Sequence, residues 1–191
     1  MFPNTDVLSQ NRIFTRLYYL RPELHDSHSQ LKGEIFNAYS IQVKDLSDLR
    51  GKFFGEKVSG KIVIGPYKDF WREPLLLAVS NKISYDLLVL GAKDSYQPKL
   101  IIKPEIEVFF PYIKGFVWSK CYAKVRIRFI VYKDGGEILN NVYEALYFSD
   151  GTDREYEGKL TDTLENCANI TLGICLRKVL DKFYVELGKK I

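Results

Sequence analysis

The first candidate for chemistry is a short stretch with two histidines. His25, Asp26 and His28 stand within four residues, a spacing that could bring two imidazoles to one metal ion. Tetrahedral metal sites need further ligands, and no third ligand follows at a suitable spacing. We therefore interpret this stretch as a polar loop. The sequence predicts no metal and no other cofactor.

The second candidate is a row of charged residues at alternate positions of neighbouring predicted strands. Three basic residues share one face of a predicted strand: Lys124, Arg126 and Arg128. Three glutamates stand on its predicted neighbours: Glu105, Glu107 and Glu144. A basic row can follow a polyanion or lipid headgroups, but these neighbours favour cross-strand ion pairs at the surface. If the first hairpin is centred near residues 115–116, Glu105, Arg126 and Glu144 lie side by side.

The third candidate is aromatic. Tyr112, Phe116 and Trp118 crowd the predicted connection over residues 111–118. Large aromatic side chains offer contact area at a low entropy cost, so this segment is a candidate ligand-binding lip. The alternative is simple packing over the end of the sheet.

The spacing of the cysteines gives little indication of a disulfide. Cys167 and Cys175 would lie about 12 Å apart along one predicted helix, too far for a disulfide. Cys121 could reach one of them across a strand–helix interface, but small cysteines are common core residues. The cysteine count therefore leaves the redox compartment open.

Composition narrows the class of protein. Lys and Arg number 28 against 24 Asp and Glu, and the two signs are mixed, which gives little support to nucleic-acid binding. A hydrophobic share of 46% over 191 residues favours one domain with a full core. No apolar run approaches the roughly 18 residues of a membrane span. No phosphate loop, nucleophile elbow or zinc signature is present, so we predict that the protein is not an enzyme.

Three long strands are predicted over residues 100–110, 122–132 and 138–148. The first presents one apolar face: Leu100, Ile102, Ile106, Val108 and Phe110. The second presents another: Ala123, Val125, Ile127, Phe129 and Val131. Apolar residues at every second position are typical of half-buried strands, so both faces should cover one core.

The connection between the second and third strands contains glycines at 135 and 136. Glycine supplies the positive φ that a three-residue hairpin loop with a bulge requires, so Lys133 should face Glu137. The register that follows has two central pairs: Ile127 with Tyr143, and Val125 with Ala145. A slip of one residue would move the apolar side chains to the other face.

Two amphipathic helices are predicted to cover the sheet. The stronger pattern repeats at spacings of three and four over residues 160–187, and Gly188 suits its end. The other helix starts near Pro74 and stops at Gly91. Its predicted buried stripe is Leu75, Leu76, Val79, Ile83, Leu87 and Leu90. The fold class predicted is α/β (α+β): a mixed, mainly antiparallel sheet packed by two main helices at about 74–90 and 160–187.

The first half of the chain is less regular. Residues 34–43 and 57–64 are predicted strands that can form a hairpin. Residues 1–14 show no period and are predicted to be an N-terminal arm or tether. Residues 15–191 then form a single globular domain.

The order of these elements resembles the YajG-type family of bacterial envelope lipoproteins over about residues 31–187. The PelC and TolB N-terminal types of lipoprotein domain share the general layout. The features that carry the resemblance are Leu31-Lys32-Gly33, the strand at 35–43, Asp48-Leu49-Arg50, Gly55, the helix at 74–90, Leu100-Ile101-Ile102, the strand at 123–131 with its Gly-Gly turn, the segment 143–147 and the helix at 160–187.

The resemblance implies an α/β envelope domain without known catalysis that belongs to a larger surface or transport assembly. In the family, a lipidated cysteine precedes the globular part. This sequence lacks that cysteine and an export signal, so anchoring to the outer membrane in the bacterial periplasm is expected only from the resemblance. A gene that begins at Met1 with no upstream export signal would place the protein in the cytoplasm. The resemblance carries over no functional residues.

Two hypotheses of function follow. The first is a non-enzymatic envelope domain in binding or assembly, whose partners are other envelope proteins or a second copy. The second is a small-ligand or lipid-binding module that uses the aromatic segment 111–118. A cavity lined by Tyr112, Phe116 and Trp118 would favour the second, and a flat apolar or charged patch would favour the first. Neither hypothesis involves nucleic acid, and the only membrane contact expected is through the lipid anchor that the resemblance implies.

Deleting residues 2–11 is expected to leave the thermal unfolding midpoint nearly unchanged. A tether buries little apolar area, so its loss removes little stability. Circular dichroism of the full chain and of the deletion variant measures both midpoints. A fall beyond about 4 °C, which corresponds to roughly 1 kcal/mol or more, would place these residues in the core.

Overall fold

The computed structural model describes residues 36–50, 57–58, 61–62, 73–94, 97–114, 120–149 and 164–191. The strands are β1 (Ser40–Val43), β2 (Ser47–Asp48), β3 (Lys57–Val58), β4 (Lys61–Ile62), β5 (Lys93–Asp94), β6 (Leu100–Lys114), β7 (Lys120–Lys133) and β8 (Gly136–Ser149). The helices are α1 (Glu73–Val89) and α2 (Leu164–Lys190). The His25–His28 stretch and the N-terminal arm lie outside the described residues.

The described strands form one main sheet in the order β5-β1-β6-β7-β8, with β2 beside β6. Strands β6, β7 and β8 are antiparallel, whereas β1 runs parallel to β5 and β6. The predicted α+β fold, with a mixed, mainly antiparallel sheet and two helices, is confirmed. The predicted hairpin of residues 34–43 with 57–64 is wrong. After β1 the chain crosses over through α1 and returns beside it as β5, and β3 and β4 pair with each other.

Both helices pack on one face of the sheet and share one core with it. The described part of the predicted α2 stripe is fully or almost fully buried: Leu172, Cys175, Leu176, Val179, Leu180, Phe183 and Leu187. Phe183 stacks on Phe129 of β7 with ring centroids 3.9 Å apart, and Tyr143 of β8 meets both rings edge-on. Aromatic pairs of this kind add about 0.5–1.5 kcal/mol beyond burial. This cluster fixes α2 over β7 and β8.

The β7–β8 turn differs from the predicted loop by one residue. Asp134 and Gly135 have φ values of 49° and 85°, so the loop has two residues and the geometry of a type I′ turn. Lys133 therefore pairs with Gly136 rather than Glu137, and a register shift restores the pairing of Val131 with Leu139. The predicted central pairs are confirmed: Ile127 with Tyr143, and Val125 with Ala145. The bulge reconciles the tight turn with the alternation of the strands.

A second bulge corrects the predicted face of β6. Ile106 lies opposite Ile127, but Val108 lies opposite Arg126, on the other side of the sheet. Phe109 takes the core position instead, opposite Val125, and Phe110 pairs with Lys124. One extra residue at the bulge reverses the alternation beyond it, so Val108 does not continue the Leu100–Ile106 face, and the Phe110 side chain lies outside the described residues.

The two helices end in different ways. Gly91 ends α1 with φ at 95°, and its N–H donates to the Leu88 carbonyl while that of Ala92 donates to Leu87, which is the Schellman pattern. The stop predicted at Gly188 is wrong, because α2 continues to Lys190. A glycine inside a helix costs only about 1 kcal/mol, and the Ile191 N–H still bonds the Leu187 carbonyl at 3.2 Å.

A buried polar link joins the two helices. Lys82 Nζ lies 2.5 Å from Asp86 Oδ1 within α1, and both side chains are almost completely buried. The Tyr184 hydroxyl of α2 donates to Asp86 Oδ2 at 3.1 Å. Burial, together with the negative charge of Asp86, raises the pKa of Tyr184, so Tyr184 stays a protonated donor. The link sets the position of α1 relative to α2.

Removing parts of this link should have graded effects on the free energy of unfolding. Tyr184→Phe is expected to cost about 1–3 kcal/mol, because a charged acceptor loses a buried donor. Asp86→Ala is expected to cost about 3–5 kcal/mol, because Lys82 is left buried without its carboxylate. Urea unfolding measures both, with Tyr85→Phe, which changes an exposed ring next to Asp86, as the control. A loss in Tyr184→Phe no larger than in the control would contradict the role of this link.

Candidate binding cleft

A cleft of about 290 Å³ opens between β1 and the C-terminal half of α1. Its walls are Ile41, Gln42, Val43, Ser84, Leu87, Leu88, Ala92 and Lys93. Five of the eight wall residues are apolar, polar side-chain and main-chain atoms also line the cleft, and Lys93 adds a positive charge near one end. The cleft exists because β5 has only two residues and covers only the start of β1.

The backbone of β1 contributes to the cleft. Lys44 donates its N–H to Ile102 of β6, so the even-numbered residues of β1 bond β6. The main-chain groups of Val43 are therefore directed to the opposite, cleft side. In the part of the chain that the structure describes, β5 pairs with Ser40 and Ile41 and no strand pairs with Val43 on that side. The cleft thus combines an open strand edge with apolar side chains of α1.

An exposed apolar ridge borders the cleft. Tyr85 is 57% exposed, Leu88 50% and Val89 52%, and Leu88 also lines the cleft. A contiguous patch of large apolar side chains in a soluble domain marks an interaction surface more often than single exposed residues do. The ridge therefore extends the cleft outward along α1.

Hydrogen bonds hold the cleft walls in place. The Leu46 N–H donates to Ser80 Oγ at 3.2 Å, and the Phe36 N–H donates to the Leu90 carbonyl at 3.1 Å. The Lys93 N–H donates to the Tyr39 carbonyl at 3.1 Å, which fixes β5 beside β1. These bonds join α1 to the sheet above and below the cleft. The cleft is therefore a formed feature of the fold.

The sequence-predicted aromatic site is only partly described. Tyr112 lies in β6 with its backbone opposite Tyr122, so residues 111–114 are strand rather than loop. The Tyr112 side chain, Phe116 and Trp118 lie outside the described residues. The sequence analysis did not single out the cleft. Its signal was the run Leu87 to Leu90, since four consecutive apolar residues exceed what one buried helical stripe needs.

The charged row forms the ion pairs predicted for it. Arg126 Nε lies 2.7 Å from Glu144 Oε2, and Lys124 Nζ lies 3.1 Å from the same oxygen. Arg128 pairs with Glu107 at 3.0 Å and with Glu105 at 3.6 Å. Glu105 therefore faces Arg128, and the predicted Glu105–Arg126 contact is wrong. The register sets Lys114 opposite Lys120, which alone would move the partner of Glu105 from Arg126 to Phe129. The β6 bulge takes back one residue, so Glu105 lies opposite Arg128 and stays on its predicted face.

The charged cluster is less exposed than a surface row. The side chain of Glu107 is 3% exposed and that of Lys124 is 10% exposed. Buried charges persist when they are paired, so these contacts hold the polar face of the sheet together. No group of three or more metal-binding side chains occurs among the described residues.

Cys175 is a core residue. It is fully buried, and its thiol donates to the Ala123 carbonyl at 3.2 Å. Burial raises the pKa of this thiol to about 12, so it stays protonated and unreactive in the folded protein. The side chains of Cys121 and Cys167 lie outside the described residues.

No protein-family model matches the chain, and a search of curated proteins gives no match. Among solved structures, the chain is similar to a Xanthomonas campestris protein of the DUF330 family, with a TM-score of 0.50, 10% identity, and coverage of 84% of this chain and 90% of that chain. It is also similar to a hypothetical protein of Chlamydia trachomatis, with a TM-score of 0.42, 10% identity, and coverage of 79% and 96%. A minor lipoprotein of Acinetobacter baumannii gives a TM-score of 0.32, 13% identity, and coverage of 59% and 80%.

The likeness to the Xanthomonas protein shows a shared fold. At 10% identity it shows nothing about function, and the YajG-type family stays a prediction from the sequence. Neither described helix contains a stretch apolar enough to cross a bilayer.

The Glu144 cluster predicts an acid-sensitive contribution to stability. Burial alone would raise the pKa of Glu144, but the hydrogen bonds and charges of Arg126 and Lys124 outweigh it and lower the pKa below its ordinary 4.5. A lowered folded-state pKa contributes stability above pH 4.5 that is lost as the pH falls through the folded pKa. Glu144→Gln should therefore lose less stability than the wild type on acidification.

Urea midpoints between pH 7 and pH 3 measure this difference. Glu137→Gln, on an exposed glutamate at the start of the same strand, is the matched control and should follow the wild type. Equal acid sensitivity of the wild type and Glu144→Gln would show that the cluster contributes no pH-dependent stability.

Proposed function

We propose that this protein is a non-enzymatic, lipoprotein-like envelope domain that binds an extended segment of another envelope protein in the cleft between β1 and α1. The observation that carries the proposal is the apolar ridge beside an open strand edge. The shared fold is compatible with this role but does not assign it. Anchoring to the outer membrane through a lipidated cysteine remains part of the proposal.

The cleft favours a peptide over a compact ligand. The main-chain groups of Val43 offer a donor and an acceptor at one strand edge, which is what an extended peptide uses when it adds to a sheet. A volume of about 290 Å³ suits one or two side chains and lies at the lower limit of ordinary small-ligand pockets. Apolar side chains of the segment would pack on Leu88 and Val89.

Charge selects the composition of the segment. Lys93 is exposed at the end of the cleft, while Lys82 is neutralised by Asp86 inside α1. A carboxylate on the bound segment would lie near Lys93, and apolar residues would alternate with it along the strand. We therefore expect an apolar segment with at least one acidic residue.

The second candidate function is binding of a small ligand or lipid at the aromatic segment 111–118. Its support is the register that sets Tyr112 opposite Tyr122 at the end of the β6–β7 hairpin, next to Phe116 and Trp118 in the sequence. Cross-strand aromatic pairs form flat apolar surfaces. This function would not need the cleft.

Photo-crosslinking from the cleft tests the proposal. A benzoylphenylalanine is placed at Leu88 in the full chain expressed in its native cells, with the exposed Lys189 as the control position. We expect a discrete cross-linked protein from position 88, lost when Val89→Asp is added, because an apolar segment that covers the introduced carboxylate would strip it of water. A synthetic peptide covering the cross-linked segment should then bind the wild type and bind Val89→Asp at least about tenfold more weakly.

Equal labelling from positions 88 and 189 would exclude the cleft as the binding site. Fluorescence of the apolar probe N-phenylnaphthylamine separates the second function. Loss of probe binding in Trp118→Ala but not in Val89→Asp would favour the aromatic segment.

A further inference from the structure

Strand β8 ends the sheet on the side opposite the cleft. It has 14 residues, and β7 is its neighbour within the part of the chain that the structure describes. Val142 is 42% exposed and Leu146 55%, and Asn140 and Glu144 are exposed as well. A long, apolar and exposed edge strand is a template for pairing with another strand.

The direction of the free main-chain groups follows from one contact. Lys182 of α2 donates from Nζ to the main-chain oxygen of Glu144 at 2.7 Å. That carbonyl therefore points away from β7. Since the direction alternates along a strand, the N–H and C=O groups of Asn140 and Val142 point outward with it. These residues form the accessible edge of the sheet.

We propose that β8 pairs antiparallel with β8 of a second copy about a two-fold axis at Val142, and that Lys182 limits this pairing by occupying the Glu144 carbonyl. In this dimer the sheets of the two copies join into one. The interface is isologous, as in most homodimers. The inference is independent of the proposed function, because the cleft lies at the other edge of the sheet.

The side chains select this register. A two-fold axis at Val142 sets Val142 against its own copy and the Asn140 amide against the Glu144 carboxylate of the second copy. An axis at Glu144 would set two carboxylates against each other, and an axis at Tyr143 would set Val142 against a carboxylate. Like charges directly opposite destabilise a strand pair, and apolar pairs stabilise it. Of these three registers, the side chains favour the one with the axis at Val142.

Lys182 competes with the second copy for the same acceptor. In the proposed register the Asn140 N–H of the second copy donates to the Glu144 carbonyl, which Lys182 occupies in the single chain. Lysine near an edge strand is a common means of preventing edge-to-edge association. Each dimer must break two such contacts, so Lys182 weakens the dimer without removing it.

Sedimentation equilibrium of the full chain tests both parts. The wild type should show a reversible monomer–dimer equilibrium, and Lys182→Met should lower its dissociation constant by about tenfold. Val142→Pro should be monomeric at the same concentrations. Its ring removes an outward N–H and leaves the bonds to β7 intact, so its unfolding midpoint should stay close to that of the wild type. Val89→Ala, an exposed change beside the cleft, is the control and should dimerise like the wild type.

Cysteine cross-linking tests the register. Residues paired across an antiparallel two-fold axis have Cα atoms about 5.5 Å apart, within disulfide range. Val142→Cys should therefore form a disulfide-linked dimer under mild oxidation. Asn140→Cys should not, because its own copy lies about 13 Å away, four residues along the strand. Combining Asn140→Cys with Glu144→Cys should restore the dimer.

A wild type that stays monomeric together with an unlinked Val142→Cys would overturn the inference. Dimerisation that persists in Val142→Pro would move the interface to another surface. Cross-linking of Val142→Cys to a different protein would assign this edge to a partner strand instead of a second copy. Lys182→Met with an unchanged dissociation constant would remove the limiting role of Lys182. None of these outcomes affects cross-linking from Leu88, so failure of this inference is distinct from failure of the proposed cleft.

Discussion

The alternation of side chains along β7 is the constraint on which the rest of the structure depends. Every second residue from Ala123 to Val131 is completely buried under α2, and Lys124, Arg126 and Arg128 between them carry the positive charges of the opposite face. A shift of one residue would place arginines in the core, so neighbouring strands must fit β7 in register. The two bulges show how they do so. Each bulge adds one extra residue to the strand beside β7, which keeps the rest of that strand in register with β7.

The position of the cleft depends on a polar contact. Tyr184 lies on the helix that covers β7 and β8, and Asp86 lies on the helix that walls the cleft. Their hydrogen bond, with Lys82 balancing the charge, fixes α1 relative to the sheet. Apolar packing alone permits small sliding of a helix, whereas a buried hydrogen bond with a charged acceptor specifies one position. Such a contact suits a wall of a preformed cleft.

The two edges of the sheet have different characters. At the β1 edge, a short β5 leaves the cleft bordered by Leu88 and Val89. At the β8 edge, a full-length strand is exposed, with Lys182 bonded to one of its carbonyls. The cleft is proposed to take a short segment of another protein, and the long edge is proposed to pair with a second copy of the same strand. With both surfaces in use as proposed, one sheet would join a dimer to a partner.

The sequence by itself determined the long strands, the two helices, the central β7–β8 register and the ion pairing of the charged row. These features rest on local periodicity, and period-two or period-3.6 patterns persist over ten or more residues. The tertiary structure decided the features that depend on a shift of one or two residues. Val108 leaves the core face because of a bulge, Glu105 meets Arg128 because the same bulge offsets the point where the hairpin closes, and α2 passes Gly188 because its next turn is still hydrogen-bonded. The cleft and the outward direction of the β8 edge also required the structure. Both arise from which strands stop early and which have no neighbour, and such long-range pairing leaves no period in the sequence.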